Sequence, residues 1–140
     1  MSLLSGVQST STALEAERIR MEVISQNIAN ANTTRGPDGK PYQRQEVVFE
    51  AMLNRQLAGP DAGGKSVHVA RITKDATPPR LVYNPGHPDA NPQGMVAMPN
   101  INVHEEMVDM IAASRSFEAN LAVVKNARSM ALQTLNIGKR

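Results

Sequence analysis

A repeat of 3.5 residues in the closing stretch of the chain limits what it can fold into. Between Asn100 and Arg140, apolar or small residues recur at Val103, Met107, Met110, Ser114, Phe117, Leu121, Val124, Arg128, Ala131 and Leu135. The steps alternate four and three, which is the period of a coiled-coil seam rather than the broader stripe of a globular helix. Ser114 and Arg128 are the polar members. Asn102, with Glu105 three residues on, forms a capping-box pattern at the start, and Gly138 offers a stop. The spacing predicts one helix roughly 50 Å long at about 1.5 Å per residue. Such a rod cannot bury its own seam, so it demands a partner along its length.

A second stretch repeats the pattern. Leu3, Val7, Thr10, Leu14, Glu17, Met21, Ile24, Ile28 and Ala31 step by four and three, and seven of these nine are apolar. Glu17 interrupts the seam, and the opening run SGVQSTST has weak helix propensity, so the helix is expected to fray toward its beginning. Asn27, Asn30 and Asn32 crowd its closing turns, although Asn is a poor residue inside a helix. Either they fray and cap the end, with Asn32 in a left-handed cap, or their amides bond across to neighbouring helices. Ile19 and Val23 lie off the seam and call for additional cover.

The middle is irregular. Thr33–Pro41 is turn chemistry, with Gly-Pro and Asp-Gly steps. Tyr42–Phe49 reads as a short strand or arm, Ala51–Leu57 as a helical turn or two, and Ala58–Gly64 as a flexible loop. Ser66–Thr73 alternates, with Val67, Val69 and Arg71 on one face and His68, Ala70 and Ile72 on the other. Six prolines between Thr77 and Pro99 deny ladder donors and leave room only for short strands, placed at Arg80–Tyr83 and Met95–Met98. The fold class is therefore mainly α: paired, coiled-coil-like terminal helices with a small, irregular, β-rich and Pro-rich insert. Its parts are 1–32, 33–99 and 100–140.

Composition narrows the function. Two Phe, two Tyr and no Trp give a thin core for 140 residues, while eight Met suit adaptable packing against a partner. With no cysteine, disulfides, thiolate metal sites and Cys nucleophiles are excluded. The net charge of +2 is spread evenly: −1 over residues 1–31, +2 over 32–100 and +1 over 101–140. Neither nucleic acid nor an anionic membrane is indicated. No uninterrupted apolar run exceeds four residues, so no membrane-spanning helix and no cleaved signal peptide is expected.

Candidate chemistry is sparse. His87 with Asp89 reads as part of a rigid turn rather than as a metal site, which needs three or four ligands. The run His104-Glu105-Glu106 lacks the second His of a zinc helix, because Val108 stands there. Glu105 and Glu106 are explained by the capping box and the helix dipole. No nucleophile elbow, phosphate loop or dinucleotide fingerprint is present, so no cofactor is expected. An enzyme would have to be built from His68, His87 and His104.

Three segments resemble a known family. MEVISQNIANANTTRGPDGKPYQRQEVVFE, with S-x-N-I-A-N-x-N-T at Ser25–Thr33, resembles the N-terminal motif of the bacterial flagellar axial proteins. VHEEMVDMIAASRSFEANLAVVKNARSMALQTLNIGK resembles their C-terminal motif, and PPRLVYNPGHPDANPQGMVAMPNINV resembles the proximal-rod branch. The chain departs from that branch in carrying Met95 and Met98 where aromatics are common. The resemblance implies a structural, non-enzymatic subunit of the flagellar basal-body rod. It implies export through the flagellar type III apparatus without a cleaved signal, then assembly in the periplasm-spanning rod. The implied partners are further copies, adjacent proximal-rod subunits and the rod-base adaptor. The subunit-packing residues on this reading are Leu14, Met21, Ile24, Asn27, Ile28 and Asn30 in the first helix. In the last they are Met107, Met110, Phe117, Leu121, Val124 and Leu135. The rival is a soluble helical-hairpin adaptor or export chaperone.

Overall fold

Two helices of unequal length carry the ends of the chain, and two small antiparallel sheets lie between them in sequence. The structure, a computed structural model, describes residues 3–53 and 65–138. Helix α1 spans Leu3–Ala29 and helix α2 spans Val103–Ile137. Strands β1 (Gln45–Leu53) and β2 (Lys65–Lys74) pair as one antiparallel sheet, and β3 (Arg80–Tyr83) and β4 (Met95–Met98) pair as another. The β1–β2 sheet packs on α1, which also packs along α2.

The ends of the helices follow local chemistry. Asn102 is extended and its side chain accepts the His104 N–H at 3.1 Å, capping α2. Gly138 closes that helix in an ordinary helical conformation, its N–H bonded to Thr134 O. Helix α1 runs out through tight turns, with the Ala31 N–H reaching Ile28 O and the Thr33 N–H reaching Asn30 O. Asn30 seals this exit locally, donating to Gln26 O and accepting from the Thr33 hydroxyl. Among the described residues only glycines have positive φ. Asn32 therefore does not form the left-handed cap expected of it.

The helices are antiparallel: Asn27, near the end of α1, meets Glu106, near the start of α2. Their buried faces overlap the seams read from the sequence but lean one residue to one side. On α1 the buried line is Ala16, Val23 and Asn27, with Arg20 half-buried between them. Each stands one residue before a seam position (17, 21, 24, 28). Val23, assigned to an off-seam flank, is 4% exposed, while Leu14, Met21 and Ile28 are only half-buried; Ile24 is buried in both readings. On α2 the line Val103, Met110, Phe117 and Val124 is shared. Between them Glu106 and Ala113 are buried where Met107 is exposed and Ser114 half-buried; Asn120 and Leu121 are half-buried alike, and Ala127 is half-buried where Arg128 is exposed. On α1 the physical reason is a second partner: the helix is covered by β1 and β2 as well as by α2, and Thr12 meets the Val67 N–H, so its buried line is not set by α2 alone. On α2, Ala113 is fully buried where the helix packs along α1, and a seam chosen by large apolar residues ignores so small a residue.

The hairpin corrects two further expectations. Strand β1 starts three residues later than the expected arm and runs through 51–53, where a helical turn was expected. The remainder of that turn, 54–57, and the loop 58–64 lie outside the described residues. Val48 pairs with Arg71 and Phe49 with Val69, leaving Ala70 as an extra residue on β2. Such a bulge reverses the alternation beyond it. Ile72 therefore shares a face with Val67 and Val69, and Arg71 shares one with His68, opposite to the simple alternation. The strands β3 and β4 lie where the prolines leave room for them. Between them the chain folds back through turns at Asn84–His87 and Asn91–Gly94. Gly94 has φ +76°, and a Cβ there would sit 2.9 Å from the Tyr83 ring, so the turn requires glycine.

Candidate assembly surface

Beneath the meeting of α1, α2 and the hairpin lies a polar junction. Asn27 and Glu106 are each 1% exposed. The Asn27 amide is fully used: Nδ2 donates to Glu106 Oε2 at 3.0 Å and to Gln45 O at 2.9 Å. Its Oδ1 accepts from the Gln45 N–H at 2.9 Å and from the Tyr42 hydroxyl at 3.1 Å. This side chain thus pairs with the start of β1 as a neighbouring strand would. Glu106 takes a second partner, Arg44 Nε, at 2.6 Å. Arg44 also pairs with Glu46 and lies 3.9 Å from Asp109.

The electrostatics follow from this packing. Burial pushes the Tyr42 phenol above the usual tyrosine range, and the Glu106 charge adds to that. Burial opposes the charge on Arg44, but the hydrogen bond and charge of Glu106, with those of Glu46, outweigh it and hold the guanidinium above its ordinary value. Capping and dipole do not account for Glu106: its carboxylate points into the junction, and Asn102 supplies the cap. The sequence singled out Asn27 but missed Glu106, Arg44, Tyr42 and Gln45. The signal available was a carboxylate three residues after Val103 and four before Met110, on a heptad line where a charge needs a partner.

Outside the junction α2 carries exposed large apolar residues among its polar ones. Met107, Val108 and Ile111 (52%, 65% and 53% exposed) cluster near its start. Val123, Met130 and Ile137, seven residues apart, line another flank and are also exposed. Residues 128–137 are exposed all round. Helix α2 has 35 residues against 27 in α1. Counted from the Asn27–Glu106 contact, about two turns of α2 project beyond the start of α1.

The residues expected to pack subunits fall into three environments. Ile24 and Asn27 are buried within the chain; Leu14, Met21, Ile28, Asn30, Met110, Phe117, Leu121 and Val124 are half-buried; Met107 and Leu135 are exposed. The three histidines lie on separate elements: His68 on β2, His87 in the proline-rich turn and His104 in the first turn of α2. His87 Nδ1 accepts the Asp89 N–H at 3.1 Å, and the Asp89 carboxylate accepts the Thr34 hydroxyl at 2.8 Å, docking that turn beside the exit of α1. Among the described residues no group of three metal-ligating side chains gathers. No described helix is long and apolar enough to cross a membrane. A cleft of about 400 Å³ opens between the turn after α1 and the segment after β2, lined by Pro37, Lys40, Tyr42, Lys74 and Thr77 among others.

Comparison with known proteins gives two family matches and a set of full-length relatives. Residues 8–37 match the flagella basal body rod protein family, and residues 93–137 match the C-terminal family of the flagellar basal body rod FlgEFG proteins. These ranges take in most of both helices and the polar positions Asn27 and Glu106. The chain is 46% identical to the flagellar basal-body rod protein FlgC of Borreliella burgdorferi, over 98% of each chain. It is 43% identical to that of Yersinia enterocolitica, over 99% of this chain and all of the other. It is 39% identical to that of Bacillus subtilis, over 93% and 94%. With identities of this size along nearly the whole length, the chain belongs to the FlgC family of flagellar basal-body rod proteins.

Proposed function

We propose that the chain is a structural subunit of the proximal part of the bacterial basal-body rod, assembling helically through its terminal helices. The observation that carries this is the set of exposed large apolar residues along α2: Met107, Val108 and Ile111, then Val123, Met130, Leu132, Leu135 and Ile137. A soluble monomer has little use for an exposed apolar surface of that extent. Segments 1–32 and 100–140 are the rod helices on this reading, and 33–99 is an outer insert that meets unlike neighbours. The coiled-coil-like seam, including Leu14, Met21, Ile28, Met107 and Leu135, is completed by neighbouring subunits. Open helical growth needs two unlike patches on each subunit, which suits apolar flanks on different sides of one helix. The partners are further copies, adjacent proximal-rod subunits, the rod-base adaptor and the flagellar type III export apparatus. The subunit leaves without a cleaved signal, transmits torque and helps enclose the export channel, a role that needs no catalysis.

Deletion of the gene followed by electron cryotomography of basal bodies tests the reading. Membrane rings and export gate without a rod are the expected outcome. An intact rod with lost motility would replace this reading with the adaptor.

A further inference from the structure

The apolar surfaces of α1 and α2 do not define one pairing. Each helix carries two heptad lines one residue apart: 16/20/23/27 beside 17/21/24/28 on α1, and 106/113/120/127 beside 107/114/121/128 on α2. A rotation of one residue exchanges the lines, and a slide of seven residues returns the repeats to phase. The buried apolar residues of the two helices, Ala16, Val23, Ile24 and Ala113, make no directional side-chain bond that would select one line over the other. The Asn27–Glu106 contact is such a bond. Glu106 is buried, bonded at 3.0 Å to Asn27 and at 2.6 Å to Arg44. Any other register strands a buried carboxylate away from its donors. A single polar residue on a seam can fix register in this way without adding stability.

We propose that Asn27, Arg44 and Glu106 are a register lock: they select one pairing of α1 with α2 and fix the hairpin to it, rather than adding to the stability of the fold. Because Arg44 immediately precedes Gln45, whose backbone is paired with Asn27, the same contact sets where β1 begins against the helices. The lock also fixes how far α2 projects beyond α1. It stands whether or not the chain assembles into a rod.

The test is electron–electron distance measurement on the full chain. The protein has no cysteine, so spin labels at Ser25→Cys and Lys125→Cys report without background. Both sites are exposed, and they are widely staggered along the pair, so the distance reads a slide. The double variant Arg44→Leu/Glu106→Leu removes the lock and leaves the bonds of Asn27 to Gln45 and Tyr42 in place. The parent is expected to give one narrow distance. The double variant is expected to melt no lower than the parent and to show a second population about 10 Å away, the rise of one heptad. A single unchanged distance in the double variant overturns the lock. So does a lowered melting temperature or loss of folding, which would make the cluster a stability element.

Discussion

Glu106 has a buried carboxylate whose donors come from two other parts of the chain. Removing Glu106 takes one acceptor from the buried Asn27 amide and leaves the half-buried Arg44 with Glu46 and Asp109 alone. Glu106→Ala is therefore expected to destabilise the monomer by about 1–3 kcal/mol, measured by urea melts, even though replacing both charges with leucines is expected to be nearly neutral. Tyr42 supplies a pH signature. Its folded pKa lies above the unfolded value of about 10, so its contribution is complete below pH 10 and is lost as pH rises through the raised folded value. Tyr42→Phe is expected to flatten that alkaline decline in urea melts between about pH 9 and 11. Asn27 stood out in the sequence as an asparagine inside a helix, but its partners lie 18 and 79 residues away. Sequence order does not reveal which donor closes a buried bond, so the junction was legible as one residue rather than as a cluster.

At the scale of the elements, the long helices were legible because periodicity depends on the residues of one segment alone. The short strands β3 and β4 were legible because prolines bound them on either side. What escaped were features set by two segments together. The buried lines lean one residue off the seams because the hairpin covers α1 beside α2 and because the small Ala113 is buried, and a heptad count of large apolar residues sees neither. The reversal of faces at Ala70 escaped because a bulge exists only in the pairing of β2 with β1. Ala113 makes the point testable. Since it is fully buried between the backbones, Ala113→Leu is expected to overpack the pair and destabilise it by about 1–3 kcal/mol in urea melts. Ser114→Leu, on the neighbouring line read from the sequence, is expected to cost less. Equal effects would restore the seam as the sequence drew it.

For the whole molecule the question is which apolar residues serve the fold and which serve assembly. Leu121 and Phe117 are half-buried on the face that α2 turns toward α1, so changes there disturb the monomer and cannot separate the two roles. Ile111 and Val123 are each 53% exposed and stand on different flanks of α2. Each changed to Asp is expected to leave monomer stability within about 0.5 kcal/mol of the parent, the usual range for surface sites, while preventing rod assembly. Urea melts read the first quantity, and swimming together with images of basal bodies reads the second. Hydrogen exchange of the dilute monomer supplies the complementary map. Protection is expected to be strongest where α2 faces α1 and the junction, from about Glu106 to Val124, and to fall away over 128–137, where every described residue is exposed. A helix end with no partner among the described residues is ordered by a neighbour or not at all. Normal rods in both Asp variants would remove the assembly role from these flanks. Uniform protection to Ile137 would mean that the projecting turns hold without a neighbour, and the long helix would then need no assembly to account for its length.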